Sequence, residues 1–387
     1  MTSRLPNALA EIVADPRAYA EWSGLHEALA RIRREHPFAR ATLDGYNPFW
    51  VASRHADIRA VAQNNRVFLS GLGSLQPMEA LEAQAKSGAL GTFRSIVAMN
   101  EPDHARYRQL TFDWFKPRSM ARFEPKIRQL ARRFTERLSD VGGECDFVRE
   151  VGVHYPLLVI MSILGVPEED EALLLRWTQH FFGGADEALN YSGRAETIDD
   201  TASSMGCAVA EAMDYFGAIS AERRRRPQND LISVVANSRI DGEAIPDADA
   251  MGYYITAAFA GHDTTASSIA GGLWALAERP VQFERVRSDP SRIPALVEES
   301  VRWTSPIHQF VRIAAEDAEI AGQTVHKGDW VVLCFPSGNR DETVFERPFE
   351  FSIERGANRH VGFGHGPHLC LGIHLARCGA RTPQIPA

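Results

Sequence analysis

Cysteine is scarce in this chain and scattered along it. Cys145, Cys207, Cys334, Cys370 and Cys378 are odd in number and show no framework spacing. That excludes a disulfide-stapled secreted fold and fits a reducing compartment. No apolar run follows Met1-Thr2-Ser3-Arg4-Leu5-Pro6-Asn7, so neither a signal peptide nor a membrane anchor is predicted and a cytoplasmic protein is expected. Positive charge is not in excess either. A formal net charge of -8 argues against nucleic acid as a general partner. Internal repeats, low-complexity tracts and long linkers are missing, and Gly71 to Gly91 is the longest stretch that reads as flexible. What is present is ordinary: 387 residues, 44% hydrophobic and 24% charged, enough for a sizeable core, with a length that admits two domains or one large helical one.

The chain is organised around Asn358 to Arg377. Gly362, Gly364, Gly366, Gly372 and Pro367 forbid regular structure up to Cys370, after which Leu371, Ile373, Leu375 and Ala376 can run on as a helix. A single cysteine is thereby presented at a helix N-terminus, where backbone N–H groups and the helix dipole favour a thiolate. Such a sulfur can ligate haem iron, bind zinc, attack a substrate or simply fill a small apolar gap. Zinc has His365 and His368 nearby, but no second Cys/His cluster offers the remaining ligands. Haem accounts for more, because a thiolate donates electron density that favours O–O cleavage and glycines let a backbone approach a flat macrocycle.

Phe363-Gly364-His365-Gly366-Pro367-His368-Leu369-Cys370-Leu371-Gly372 matches Phe-Gly-x-Gly-x-His-x-Cys-x-Gly at every fixed position. On these residues the chain resembles the cytochrome P-450 superfamily. The resemblance implies a mainly α, triangular fold with a small β region, spanning 1–387 as one domain, with haem b between a long central helix and the Cys-loop helix. It makes Cys370 the axial iron ligand and Phe363, Gly364 and Gly372 part of the cofactor loop.

Other motifs fall in the family's order. Pro102-Asp103 opens a helix in which His104 and Arg108, four apart, share a face. Taken alone they are a solvated pair, whereas the resemblance makes them donors to the haem propionates. The basic run Lys116, Arg118, Arg122, Lys126 and Arg128 is by itself a solvated face, and by resemblance a docking surface for an acidic ferredoxin. Asp247 to Glu278 is free of proline and apolar on most faces from Met251 to Leu276, so a long buried helix is expected. Near its middle Ala260-Gly261-His262-Asp263-Thr264-Thr265 places an acid beside hydroxyls, which is locally expensive in a core. The family's Ala/Gly-Gly-x-Asp/Glu-Thr-Thr motif implies that Ala260 and Gly261 lie against the haem and that Thr264 opens a local bulge. It also makes Thr264 with Asp263 a proton relay for oxygen cleavage. His262 occupies a variable position and receives no role.

Glu299 and Arg302, three apart, could be an exposed helical pair. As the family's Glu-x-x-Arg they would form a buried network with Arg355 that holds the Cys370 loop. Arg312 and His360 complete the propionate donors implied by the resemblance. Phe93, Ile96, Phe259, Ile307 and Phe310 are candidate walls of the substrate pocket, and Ser70 to Ser95 is expected to be a loop capping it. After Arg377 the chain departs from the family, because Cys378 to Ala387 carries Gly379, Pro383 and Pro386 where a longer helix and a hairpin are usual. An altered C-terminal part is therefore expected.

The activity implied is insertion of one atom of O2 into a C–H bond. No flavin or iron–sulfur motif is found in the chain, so two electrons would arrive from NAD(P)H through a reductase and a ferredoxin. Glu144-Cys145-Asp146-Phe147, Tyr155-Pro156-Leu157 and Val301-Arg302-Trp303-Thr304 look like the bacterial branch that includes an α-terpineol hydroxylase, which implies a small terpene or alkyl-aromatic substrate. A haem-thiolate sensing protein and a peroxide-driven haem enzyme are the other readings. Neither has an evident need for both Asp263 and Thr264.

Overall fold

Proline and glycine punctuate the chain much as its sequence suggests. A computed structural model describes residues 3–71, 77–87 and 94–381. Helix α1 (Asn7–Ala14) stops before Pro16, a 3-10 turn carries Pro16–Ala20, and α2 (Trp22–Glu35) resumes. Strands β1 (Phe38–Ala41) and β2 (Phe49–Ala52) pair antiparallel across a turn at Asp44-Gly45, and α3 (His55–Gln63) and β3 (Phe68–Leu69) follow. The stretch expected to be wholly loop contains a helix, α4 (Glu79–Ser87). Its Glu-Ala-Leu-Glu-Ala-Gln-Ala-Lys core consists of strong helix formers, and the glycines on either side obscure this in the sequence. Leu72, Leu75, Leu90 and Phe93 lie outside the described residues.

The helical layer comprises α5 (Asp103–Phe112), α6 (Pro117–Met120), α7 (Glu124–Val141), α8 (His154–Leu164), α9 (Glu171–Phe182), α10 (Ile198–Arg225) and α11 (Leu231–Ala236). Helix α10 starts with a capping box: Thr197 Oγ1 accepts from Asp200 N at 3.1 Å and Asp200 Oδ2 accepts from Thr197 N at 3.0 Å. Arg223, in the last turn of that helix, is a buried strut. Its Nε donates to Asp230 at 2.6 Å and its Nη2 to the Gly165 carbonyl at 3.0 Å.

A short hairpin, β4 (Arg239–Ile240) and β5 (Glu243–Ala244), leads into α12 (Asp247–Ala277). Its 31 residues make it about 46 Å long, and it packs on α8 and α10. Pro280 starts a helix that the sequence reading missed, α13 (Pro280–Ser288), which is followed by α14 (Ile293–Thr304) against α12.

Beyond lie β6 (Gln309–Ala314), β7 (Ala318–Ile320), β8 (Gln323–Val325), β9 (Trp330–Cys334), α15 (Phe335–Gly338) and α16 (Ile373–Arg381). Strands β7 and β8 form a hairpin, because Ala321 and Gly322 both adopt positive φ (51° and 73°) and turn the chain. The main sheet has the order β1-β2-β9-β6-β3, with β2 and β9 parallel and its other pairs antiparallel. One core cluster fills the space among α7 to α12, and two smaller ones cover the sheet. Helix α16 runs through Gly379 to Arg381, further than its composition suggests, and Tyr155 Oη donates to the Gly379 carbonyl at 3.0 Å. Among the described residues no helix is long and apolar enough to cross a membrane.

Candidate active site

Gly364 and Gly366 take left-handed φ values of 74° and 71°, a conformation that side chains resist. The loop they shape is closed by Cys370 N donating to Phe363 O at 2.9 Å and Leu369 N to Gly366 O at 3.0 Å. Gly366 is also pressed onto α3, since a Cβ there would sit 2.6 Å from the Ala62 carbonyl. Its smallness thus serves packing of the loop on α3. Cys370 and Phe363 face a cavity of about 1350 Å³ bounded by α12, β6 and this loop. Burial pushes the Cys370 thiol up, against the pull of the Gly372 N–H and the charges of Arg108 and Arg377. The expected thiolate-favouring groups are therefore present but outweighed by desolvation.

Four basic side chains collect at one edge of the cavity. His104 stacks on His368 with ring centroids 3.8 Å apart, and Arg108 and Arg312 complete the group. His104 Nδ1 meets Glu101 at 3.3 Å, but its Nε2 is buried without a partner. Arg312 is buried and, among the described residues, donates only to the carbonyl of Val311, at 2.8 Å; desolvation holds its pKa down near 10. Burial, together with His104 and the two arginines, pushes His368 to about 2. Arg108 Nη2 donates to Leu369 O at 2.6 Å, which ties the Cys loop to α5. Two arginines and two neutral imidazoles, with Glu101 the one carboxylate bonded to them among the described residues, fit a dianionic edge such as a pair of haem propionates. His368 was not assigned to this cluster from sequence, although its place in the Cys motif marks it.

His360 is not part of this cluster. The Gly362 N–H donates to its Nδ1 at 3.1 Å, which leaves Nε2 to donate to Glu298 at 3.3 Å. Glu298 also receives Arg377 at 2.7 and 2.8 Å. Its carboxyl falls to about 2 because these hydrogen bonds and charges overcome the opposing effect of burial. His360 therefore ties the loop to α14, beside the Arg377–Glu298 pair that braces α16, and stands outside the cavity lining. Its role at the propionates is the one donor assignment that the geometry does not accommodate.

One face of α12 lines the cavity, with Tyr253, Thr256, Ala257, Ala260, Gly261, Thr264 and Thr265 three or four apart. Thr264 Oγ1 donates to Ala260 O at 2.7 Å and Thr265 Oγ1 to Gly261 O at 3.1 Å. The helix is continuous through this point, so these back-bonds stand where a bulge was expected. Gly261 lines the cavity, and a Cβ there would also come within 2.9 Å of Ile160 on α8. Asp263 and Phe259 lie on an adjacent stripe, outside the lining. Phe259 packs on Phe181 with centroids 5.2 Å apart and so does not wall the pocket. Asp263 has no hydrogen-bond or ion-pair partner among the described residues, and burial raises its pKa to about 6. Ile96, Ile307 and Phe310 do line the cavity, and Phe93 lies outside the described residues.

His262, left without a role by sequence, is buried and bridges helices. Its Nδ1 meets Thr178 Oγ1 on α9 at 2.9 Å and its Nε2 meets the Val153 carbonyl at 2.8 Å. Burial lowers its pKa to about 4. A depressed histidine pKa means that the unfolded chain takes up the proton first, so stability falls as pH drops from 6.5 towards 4. The loss expected from this residue is up to about 3 kcal/mol. His262→Gln should flatten that part of the stability–pH curve measured by urea unfolding, and a curve of unchanged slope would contradict this.

Glu299 is the hub of the loop's support. Arg302 donates to it at 2.7 and 2.8 Å, Arg355 at 3.1 Å, Ser352 N at 2.8 Å and Asn358 Nδ2 at 3.0 Å. Arg302 further donates to the carbonyls of Asn339, Pro348 and Glu350. Of the basic run, Lys126 is bonded to Glu168 at 2.8 Å and Arg128 to Glu124 at 2.6 Å, while Arg122 covers the Trp114 ring at 3.5 Å. Arg118 is exposed on α6, which packs against α16.

This fold is shared with solved haem-thiolate enzymes. CYP108D1 from Novosphingobium aromaticivorans superposes with a TM-score of 0.89 at 38% identity, over 98% of this chain and 90% of that one. Mycobacterium marinum CYP268A2, solved with pseudoionone, gives 0.86 at 32% identity over 96% and 91%. In sequence the chain is 41% identical to Cytochrome P450-terp of a Pseudomonas species, over 96% of this chain and 88% of that protein. It is 33% identical to a steroid C26-monooxygenase of Mycolicibacterium smegmatis, over 91% and 80%. The family profile described as Cytochrome P450 matches residues 18–381, and the chain belongs to that family. It is accordingly an oxidoreductase of the monooxygenase kind with haem b as its cofactor.

Proposed function

We propose that the protein hydroxylates a small hydrophobic molecule, a terpene or alkyl-aromatic, with O2 and electrons from NAD(P)H passed through a reductase and an iron–sulfur ferredoxin. The observation that carries this reading is the apolar wall of Ile96, Val97, Ala257, Ala260, Ile307 and Phe310 facing Cys370 across the cavity. The similarity to Cytochrome P450-terp supports it. Haem b, when bound, supplies the activation of O2.

In this proposal the chain's own residues do the following. Cys370 ligates the iron. His104, Arg108 and Arg312 hold the propionates, where His104 Nε2 gains its missing partner. The apolar wall excludes water and orients the C–H bond. Thr264 presents a hydroxyl to the reacting oxygen, and Asp263, with its raised pKa, holds an exchangeable proton one residue away on the outer stripe of α12. Gly372 and Gly364 shape the loop under the sulfur.

The carbon monoxide difference spectrum of the reduced protein tests this reading, followed by titration with small terpenes for a spin-state shift. A thiolate-type spectrum that is lost in Cys370→His, together with a shift by a monoterpene, is the expected result. A nitrogen-type spectrum in the wild type would overturn the assignment. For the partner, Arg118→Glu with Arg122→Glu should raise the KM for a ferredoxin several-fold at low salt and little at high salt. Equal rates at both salt concentrations would remove the docking role.

A further inference from the structure

Arg340 is fully buried between two indole rings. Its Cζ lies 4.8 Å from the ring centroid of Trp22, on α2, and 4.8 Å from that of Trp303, on α14. Its Nη2 donates to the Trp303 carbonyl at 2.8 Å, whereas Nη1 is buried with no partner among the described residues. His26 stands edge-on against the same Trp22 ring, centroids 4.4 Å apart, and neither of its ring nitrogens has a partner among the described residues. The two side chains belong to residues only 6% and 1% exposed, His26 and Arg340 in turn. Polar nitrogens left over in this way are costly, and here they gather around one tryptophan.

Charge is also out of balance there. Arg33, Arg302, Arg340 and Arg355 meet the carboxylates Glu299, Asp341 and Glu342. Arg33 is bonded to Glu342 at 2.8 Å, and Arg302 and Arg355 share Glu299 at 2.7 and 3.1 Å. Asp341 accepts from His55 N and from Thr343 N and Oγ1, so its oxygens are taken. Arg340 therefore has no carboxylate bonded to it among the described residues, and an arginine cannot shed its proton to escape the cost. Burial and the charge of Arg340 push His26 down to about 2, so its imidazole is neutral and has one N–H to give. A water molecule would take up these donors and leave the charge as it was. An anion answers both.

We infer that His26 and Arg340 bind a small monovalent anion of the halide type in the corner between α2, α14 and the end of α15, the ion accepting from Arg340 Nη1 and from the His26 N–H. Neither residue lines the cavity that Cys370 faces, so the site is separate from the oxygen chemistry and independent of which substrate is hydroxylated. Its effect is on the support of the Cys loop. Asn339, next to Arg340, accepts from Arg302 Nη1 through its carbonyl at 2.9 Å and from Val361 N through Oδ1 at 2.7 Å. The ion's corner is thereby joined to the segment that runs into Phe363 and Cys370, and filling it stabilises the folded protein.

The test uses the haem-loaded protein, unfolded with urea at fixed ionic strength while potassium chloride replaces potassium gluconate. One ion held by the folded state alone makes the unfolding constant fall tenfold for each tenfold rise in free chloride above the Kd. That slope is expected of wild type, and crystals grown in bromide should show an anomalous peak beside Arg340 Nη1. Arg340→Met should abolish the chloride dependence. His26→Leu, which keeps the charge and removes one donor, should move it to roughly 3- to 10-fold higher chloride, the range of one neutral hydrogen bond. A wild-type unfolding constant indifferent to chloride would overturn the inference, as would bromide crystals with only a water at this place. A chloride dependence that both variants leave unchanged would place the ion elsewhere and overturn it too. If Arg340→Met does not fold, His26→Leu decides alone, and an unshifted dependence in that variant counts against the site.

Discussion

Replacing Asp263 by asparagine is expected to make the folded protein more stable above pH 6 and its turnover about 100-fold slower. The carboxyl has no partner among the described residues, and burial lifts its pKa from 3.8 to about 6. A raised pKa means that the folded state holds this proton more tightly than the unfolded state does. Its contribution to stability is therefore greatest below pH 3.8, declines as pH rises to about 6, and is gone above that, where a half-buried carboxylate must be carried without a partner. The difference is up to about 3 kcal/mol. Denaturation of wild type and Asp263→Asn at pH 5 and pH 8 should show a larger gain for the variant at pH 8. A gain in stability with no loss of coupled turnover would mean that the residue has no part in proton delivery. Equal stability at both pH values would mean that the carboxyl is better solvated than its surroundings suggest.

The second large effect is expected at Glu299. Glu299→Gln removes the carboxylate that, among the described residues, both Arg302 and Arg355 bond to, and leaves one fully buried guanidinium and one nearly buried without their counter-charge. Breaking such a pair from one side costs about 3–5 kcal/mol, a large fraction of the 5–15 kcal/mol that holds a typical domain folded. The damage should reach the cofactor, because Asn358 and Ser352 hang on the same carboxylate just ahead of the Cys370 loop. Loss of haem on gel filtration and a lower denaturation midpoint are the measurements. The double variant Glu299→Leu with Arg302→Leu should not recover, since the carbonyls of Asn339, Pro348 and Glu350 then lose their donor. Recovery in the double variant would show that the ion pair, and not the carbonyl contacts, sets the cost.

Much of the architecture can be read along the chain because the residues concerned are neighbours in it. The break at Pro16, the long helix after Pro246 and the loop around Cys370 all follow from local conformational preference. Helix α4 was hidden because glycine-rich flanks dominate the composition there, and α13 because it is short and follows the long helix after only two residues. At the site, the Glu299 network and the pairing of His104 with Arg108 on one helix face were legible, since three- and four-residue spacings determine a face. His360 was misplaced for the opposite reason. Whether its ring turns to the cavity or to Glu298 depends on a carboxylate 62 residues away and on Arg377 beside it.

By itself the sequence determined which chemistry is available: one cysteine on a glycine-shaped loop, an acid next to a threonine in an apolar helix, and an arginine–glutamate pair at helical spacing. Only the tertiary structure decided which of these groups face each other. It turned Phe259 and Asp263 away from the cavity, gathered His104, His368, Arg108 and Arg312 at one edge, and set Ser95 against Thr256 across 161 residues of chain. The physical reason is one of range. Backbone preference and spacing act within a few residues, whereas the direction of a helix face and the partner of a buried polar group are settled by packing among elements that are distant in sequence.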